Sequence, residues 1–124
     1  MERFSRTKML FGEDKINSLS TKKVLVFGVG GVGGYVCEAL ARSGVGTVDI
    51  VDNDTVSVSN INRQIIALNS TVGKLKVDVM RERMLDINPN IKVNVYNVFF
   101  TPENSNQFDF SKYDYIVDAI ETVS

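Results

Sequence analysis

Residues 24–27, Val-Leu-Val-Phe, form an unbroken apolar run, the pattern of a strand covered on both faces. Val32, Val36, Ala39 and Leu40 follow at helical spacing, which predicts a helix over 31–43 with those residues on its apolar face. Ser-Gly-Val-Gly at 43–46 ends that helix, and Thr47 to Val51 reads as a second strand stopping at Asp52. Strand, helix and strand at this spacing make a right-handed unit whose strands lie parallel and adjacent. Residues 53–73 are polar and irregular, with a short helical turn expected around Ile61 to Leu68. A segment of that length inside a compact domain tends to be functional. From Lys74 the helical period returns with Val77, Met80, Met84 and Ile87, and Pro89 stops it. Ile91, Val93 and Val95 alternate with Lys92 and Asn94, predicting a half-exposed strand near a sheet edge. "TPENSNQF" at 101–108 predicts a short helix with Pro102 in its first turn. Tyr113 to Ala119, apolar in its middle, predicts a central strand.

The order β-α-β-loop-α-β-α-β describes an α/β fold, a Rossmann-like, doubly wound, mostly parallel sheet with helices on both faces. At 124 residues the chain makes one domain. It stops just past a strand that should lead into more structure, so residues 1–124 are expected to be the amino-terminal part of a longer fold. Apolar residues at 44% and charged residues at 23% are ordinary for a globular protein. The longest uncharged run, residues 24–37, is too short and too rich in glycine to span a membrane. Glu2, Arg3 and Arg6 stand where a secretory signal would need its apolar region, which makes the cytoplasm the expected location, with no membrane anchor. Fourteen basic against fifteen acidic side chains argue against a surface that is basic throughout. A single cysteine and the absence of histidine exclude an internal disulfide, a Cys/His zinc site and catalysis by an imidazole base. Cys37 falls on the first helix, where a free thiol acts as a small buried hydrophobe.

The chemistry begins at "GVGGVGG", residues 28–34. Gly28, Gly30 and Gly33 fit G-x-G-x-x-G directly after a strand and opening a helix, and Asp52 ends the next strand. Helix N-terminal amides bind phosphate there while an acidic side chain accepts hydrogen bonds from a ribose, so a nucleotide is the expected ligand. This pattern alone leaves NAD and ATP both open. The segment "DNDTVSVSNINRQ" then places Asn60, Asn62, Arg63 and Gln64 just past Asp52 and Asp54, with Lys76 opening the next helix. Hydride transfer has no evident need for cations beside the phosphates. Phosphoryl or nucleotidyl transfer does, because negative charge moves onto the leaving oxygens as the bond breaks.

These segments, together with "RFSRTKMLFG", "TVGKLKVDVM", "INPNIKV" and "YIVDAIETV", resemble the adenylating family that includes ThiF, MoeB, HesA and the ubiquitin-activating enzymes. Within it, "RFSRT", "EALARSGVG", "NRQIIAL" and "VMRERMLDINP" are most similar to the tRNA threonylcarbamoyladenosine dehydratase branch. The resemblance implies an enzyme that uses ATP and Mg2+ to adenylate a substrate carboxylate. It implies that Gly30, Gly31 and the helix after them hold the ATP phosphates, with Gly28 and Gly33 shaping the turn, and that Asp52 holds the ribose. Asp54, Asn60 and Gln64 would border the nucleotide, Arg63 and Lys76 would contact the triphosphate, and Asp118 would stand at the end of its strand beside the same site. Arg6 aligns with an arginine that reaches the nucleotide of the partner subunit in a homodimer, which makes Arg6, Arg63 and Lys76 the implied catalytic cations. Glu121 occupies the position of an aspartate associated with magnesium. The implied substrate is tRNA. A ubiquitin-like or sulfur-transfer protein partner, an NAD-dependent oxidoreductase and a catalytically silent nucleotide-binding domain are the alternatives.

Overall fold

Valine- and isoleucine-rich stretches shed their backbone polarity by pairing, and here they do so as one parallel sheet. The computed structural model describes residues 18–120. Strands β1 (Lys23–Phe27), β2 (Thr47–Val51), β3 (Lys92–Tyr96) and β4 (Tyr115–Asp118) pair in the order β3-β2-β1-β4. All neighbours are parallel. Helix α1 (Gly31–Ser43) connects β1 to β2, and helix α2 (Lys76–Ile87) precedes β3. The chain therefore moves outward from β1 on one side and returns to set β4 on the other. The strand order reverses at β1, and in open α/β sheets ligands bind in the crevice at the carboxyl ends of the strands where that happens. The Rossmann-like α/β architecture agrees with the pattern of the sequence.

Alternation along the strands sorts the side chains into two layers. Val24, Val26, Val48, Ile50 and Val93 point to one face and pack with Cys37 and Ala41 of α1 and Val77, Met80 and Met84 of α2. Leu25, Phe27 and Val51 point to the other face and meet Phe108, Val98, Phe100 and Tyr113. The segment carrying those aromatics forms two short 3-10 helices, Pro102–Gln107 and Phe110–Lys112. Phe27 packs at 4.4 Å between ring centroids against Phe100 and edge-on at 5.7 Å against Phe108. Thus, among the described residues, α-helices cover one face and 3-10 turns cover the other. Asp49 is buried on the aromatic face, where Asn94 Nδ2 and the Tyr113 hydroxyl both donate to it at 2.7 Å. Burial, and then this bond to Asp49, push the Tyr113 hydroxyl well above the usual tyrosine range.

Helix α1 departs from its expected face. Val32 is 65% exposed, Ala39 is exposed, and Val36 and Leu40 are only half-buried; the buried residues are Gly33, Gly34, Cys37 and Ala41. The helix lies on the sheet by its smallest side chains, because its backbone approaches the β1 turn more closely than any branched residue permits. A Cβ on Gly33 would stand 1.6 Å from the Gly28 carbonyl oxygen. Gly28 is itself in the left-handed region at φ +88, and a Cβ there would lie 2.6 Å from the Ala119 carbonyl oxygen. Cys37 is fully buried as expected, and desolvation pushes its thiol pKa up to about 12, so it is inert.

Other expectations shift in smaller ways. β3 lies at a sheet edge, as its alternation suggested. β4, expected to be central, pairs only with β1 among the described residues and leaves Tyr115 and Ile116 66% and 44% exposed. It begins at Tyr115 rather than Tyr113, whose side chain joins the aromatic layer. Across Ile61 to Leu68 the expected helical turn is reduced to single hydrogen-bonded turns, with the Arg63 and Gln64 amides donating to the Asn60 carbonyl, and a 3-10 helix at Val58–Asn60 precedes them. α2 starts at Lys76 rather than Lys74 because Thr55 and Leu75 form an antiparallel bridge that holds residue 75 extended.

Two predictions follow from this packing. Gly33→Ala is expected to cost about 3 kcal/mol or more, since the methyl group meets main chain that cannot yield; urea denaturation monitored by circular dichroism measures it. The second concerns Glu38, which ties α1 to α2 through Arg83 Nε at 2.8 Å. The Arg83 hydrogen bond is the largest cause holding its carboxyl below the usual 4.5. A depressed folded value stabilises the protein above the unfolded pKa, and that stability is lost as the pH falls through the folded one. Glu38→Gln should therefore destabilise by about 1 kcal/mol at pH 7, with the difference from wild type vanishing in melts well below pH 4.5.

Candidate functional site

A cleft of 290 Å3 opens at the carboxyl ends of β1, β2 and β4. Its polar lining comes from three parts of the chain. Gly28 and Gly30 supply one wall, Asp52, Asn53 and Asp54 a second, and Asn60, Arg63, Gln64 and Lys76 a third. Eight of the sequence-derived candidates are thereby brought together: Gly28, Gly30, Asp52, Asp54, Asn60, Arg63, Gln64 and Lys76. Gly31 opens α1 and Gly33 packs behind the turn, so both shape the cleft without lining it. Asp118 ends β4 and accepts the Ile120 amide at 3.2 Å, also without lining the cleft. Arg6 and Glu121 lie outside the described residues.

Asp52 joins two of these walls. Its Oδ2 accepts the Val29 amide at 2.9 Å, and its Oδ1 accepts the Asp54 amide at 2.8 Å. Each carboxylate oxygen keeps a lone pair for a further donor. Gly28 N–H donates to the Val51 carbonyl and Ala119 N–H to the Phe27 carbonyl, both at 2.8 Å, so the sheet continues into the turns around the cleft. The loop is anchored at its far end as well, because Lys76 N–H donates to the Asp54 carbonyl at 3.0 Å.

The donors of the third wall have fixed directions. Asn60 is buried, and its Oδ1 accepts from both the backbone amide and the hydroxyl of Ser57, at 2.9 and 3.0 Å. That fixes the amide group, and its Nδ2 has no partner among the described residues. Arg63 Nη1 donates to the Ser59 carbonyl at 2.9 Å and to Asn62 Oδ1 at 3.2 Å, which leaves its other N–H groups without partners among those residues. Lys76 is only 6% exposed, yet among the described residues its ammonium faces a single counter-charge, Asp54 Oδ2 at 3.7 Å, on a side chain 66% exposed. So long a contact to so solvated a carboxylate leaves the ammonium able to take up an added anion. Unused N–H donors, an ammonium on a mostly buried side chain and the start of α1 together make a site for a polyanion.

Sequence reasoning missed the apolar wall. Val98, Phe99, Phe100, Ala119 and Ile120 also line the cleft, and Phe99 is 64% exposed. Their signal was the run "NVFF" directly after the β3 alternation, at the carboxyl end of a parallel strand. An exposed aromatic ring in a cleft suits a planar base. Among the described residues no group of three or more His, Cys, Asp or Glu is placed to hold a metal ion. No helix among them is long and apolar enough to cross a membrane.

A family model described as the ThiF family matches residues 4–124. The chain is 46% identical over 123 residues to a tRNA threonylcarbamoyladenosine dehydratase of Bacillus subtilis (strain 168), covering 99% of this chain and 48% of that protein. It is 41% identical over 104 residues to the adenylyltransferase and sulfurtransferase UBA4 of Candida glabrata, covering 84% of this chain and 24% of that protein. The crystal structure of the E. coli tRNA N6-threonylcarbamoyladenosine dehydratase in complex with ATP superposes with a TM-score of 0.93 at 44% identity, covering 98% of this chain and 50% of that one. The chain spans about half the length of the dehydratases it matches.

Asp52→Ala should free the glycine turn from the loop. Hydrogen exchange read by NMR is expected to quicken at least about tenfold at the Val29 and Asp54 amides, while amides in the middle of β1 keep wild-type protection.

Proposed function

The chain belongs to the ThiF family, and on that premise we propose that its cleft binds ATP and adenylates a substrate carboxylate. The observation that carries this reading is the loosely paired Lys76 ammonium in one cleft with N–H groups of Arg63 and Asn60 that have no partner among the described residues. This arrangement suits a triphosphate whose leaving group gains charge. In the proposed complex the phosphates lie between the start of α1 and these donors. The sugar reaches Asp52, and the base lies against Phe99 and Val98.

A substrate carboxylate, with a pKa of roughly 4, is already ionised at neutral pH. It can attack the α-phosphorus without a general base, consistent with a chain that has no histidine. One carboxylate oxygen bonds to that phosphorus as the bond to the β-phosphate oxygen breaks, and pyrophosphate leaves with the electron pair. Arg63 and Lys76 hold the charge that collects on it. Magnesium is ordinarily held by one or two carboxylates plus phosphates, keeping several waters. Asp54, which lines the cleft and leaves Asp52 to the sugar, fits that limited role, and the bound ion would neutralise phosphate charge. The names of the dehydratase relatives support threonylcarbamoyladenosine in tRNA as the substrate. Activation of its carboxyl group would allow internal ring closure, with AMP released and net loss of water. A homodimer would bring Arg6 of the partner subunit to the nucleotide, and the cytoplasm is the compartment in which such a tRNA substrate is met.

A second reading, adenylation of a ubiquitin-like carrier protein, draws on the likeness to UBA4. Exchange of labelled pyrophosphate into ATP separates the two. Exchange that depends on tRNA carrying threonylcarbamoyladenosine is the expected result, and exchange that requires a carrier protein instead favours the second. Arg63→Ala and Lys76→Ala should each lower the rate about 100-fold. Titration showing preference for NAD over ATP-Mg would overturn the adenylation reading altogether.

A further inference from the structure

Gln64 stands next to Arg63 in the chain, lines the same cleft and is 4% exposed. Its Oε1 is buried and has no hydrogen-bond donor among the described residues. The side chain lies flat over the glycine turn, with Nε2 3.0 Å from the position of a Cβ on Gly30, so the amide occupies space that a larger residue at 30 would take. A buried acceptor without a donor is disfavoured. A hydrophobic side chain of the same length would avoid that cost, so its place in the wall calls for a reason beyond packing.

The other acceptors around the cleft narrow the role. Asn60 Oδ1 already takes two donors from Ser57, and Asp54 faces Lys76. Each oxygen of Asp52 already takes one main-chain amide. Among the described residues, Gln64 Oε1 is the buried acceptor of the cleft still without a donor. Phosphate oxygens at neutral pH accept and do not donate, so they cannot satisfy it. A nucleotide sugar can, because each of its hydroxyls brings an O–H. The terminal torsion of glutamine is soft and roughly two-fold, so the amide can turn its oxygen toward the cleft without moving the backbone.

We infer that Gln64 Oε1 accepts a hydrogen bond from a sugar hydroxyl of the bound nucleotide, making Gln64 a residue that selects ribonucleotides over deoxyribonucleotides. This rests on the reading of the cleft as an ATP site. Gln64 takes no part in bond making or breaking; it shares the sugar with Asp52 and leaves the phosphates to Arg63 and Lys76.

Isothermal titration of the protein with ATP, 2′-deoxy-ATP and 3′-deoxy-ATP, each with magnesium, tests it. The wild type is expected to bind at least one deoxy analogue about three- to tenfold more weakly than ATP, the loss of one hydrogen bond. In Gln64→Met that ratio should fall to about one, while the nucleotide-free variant melts no lower than wild type because an unsatisfied acceptor has been removed. A wild type that binds all three nucleotides equally overturns the inference without any variant. So does a Gln64→Met protein that keeps the wild-type ratio, or one that melts several degrees lower without nucleotide, since the amide would then be a satisfied core group. Failure of the wild type to bind ATP at all counts instead against the ATP reading.

Discussion

The main chain of α1 passes the turn after β1 with no room for a methyl group between them, and the cleft depends on that approach. With Gly33 against the Gly28 carbonyl and Gly28 against Ala119, the ends of β1 and β4 and the start of α1 are drawn into one place. Side chains of ordinary size would hold the helix off the sheet and carry its N-terminus away from the strand ends. The buried face of α1 is accordingly its least bulky one. Its larger residues, Val32 and Tyr35, are left exposed.

Around this fixed turn the loop of residues 53–73 is held by polar contacts rather than by regular structure. Asp52 clasps the amides of Val29 and Asp54, Asn60 is locked by Ser57, and the Asp54 carbonyl receives the first amide of α2. Each contact satisfies a backbone group that a buried irregular loop would otherwise strand. The same contacts aim what remains, the Asn60 amide, the Arg63 guanidinium and the Lys76 ammonium, at a common space. Electrostatic preorganisation of this kind needs little reorganisation when an anion arrives, because the fold has already met the cost of collecting like charges.

The two faces of the sheet divide the labour. The aliphatic face carries α1 and α2 and sets the distance between the glycine turn and Lys76, with Glu38 and Arg83 linking the two helices. The aromatic face gathers Phe27, Phe100 and Phe108 and leads their segment up to the cleft, where Phe99 and Val98 form its apolar wall. Buried Asp49 is accommodated on that face because Asn94 and Tyr113 both donate to it and the Lys23 ammonium lies 3.8 Å from its Oδ2.

Much of this was legible in the residues themselves. Local pattern reports what a segment does with its own neighbours, so the strand at 24–27, the glycine turn and the acidic end of β2 could be read directly. Asn60, Arg63, Gln64 and Lys76 could be marked as candidates from the company they keep. Tertiary structure alone decided which groups meet. That α1 buries its glycines rather than its valines, that β4 lies beside β1, and that Phe99 and Lys76 line one cleft are consequences of contacts between distant segments. Periodicity measures hydrophobicity along one axis, whereas the closeness of two backbones and the return of the chain to the far side of β1 are set by packing in three dimensions.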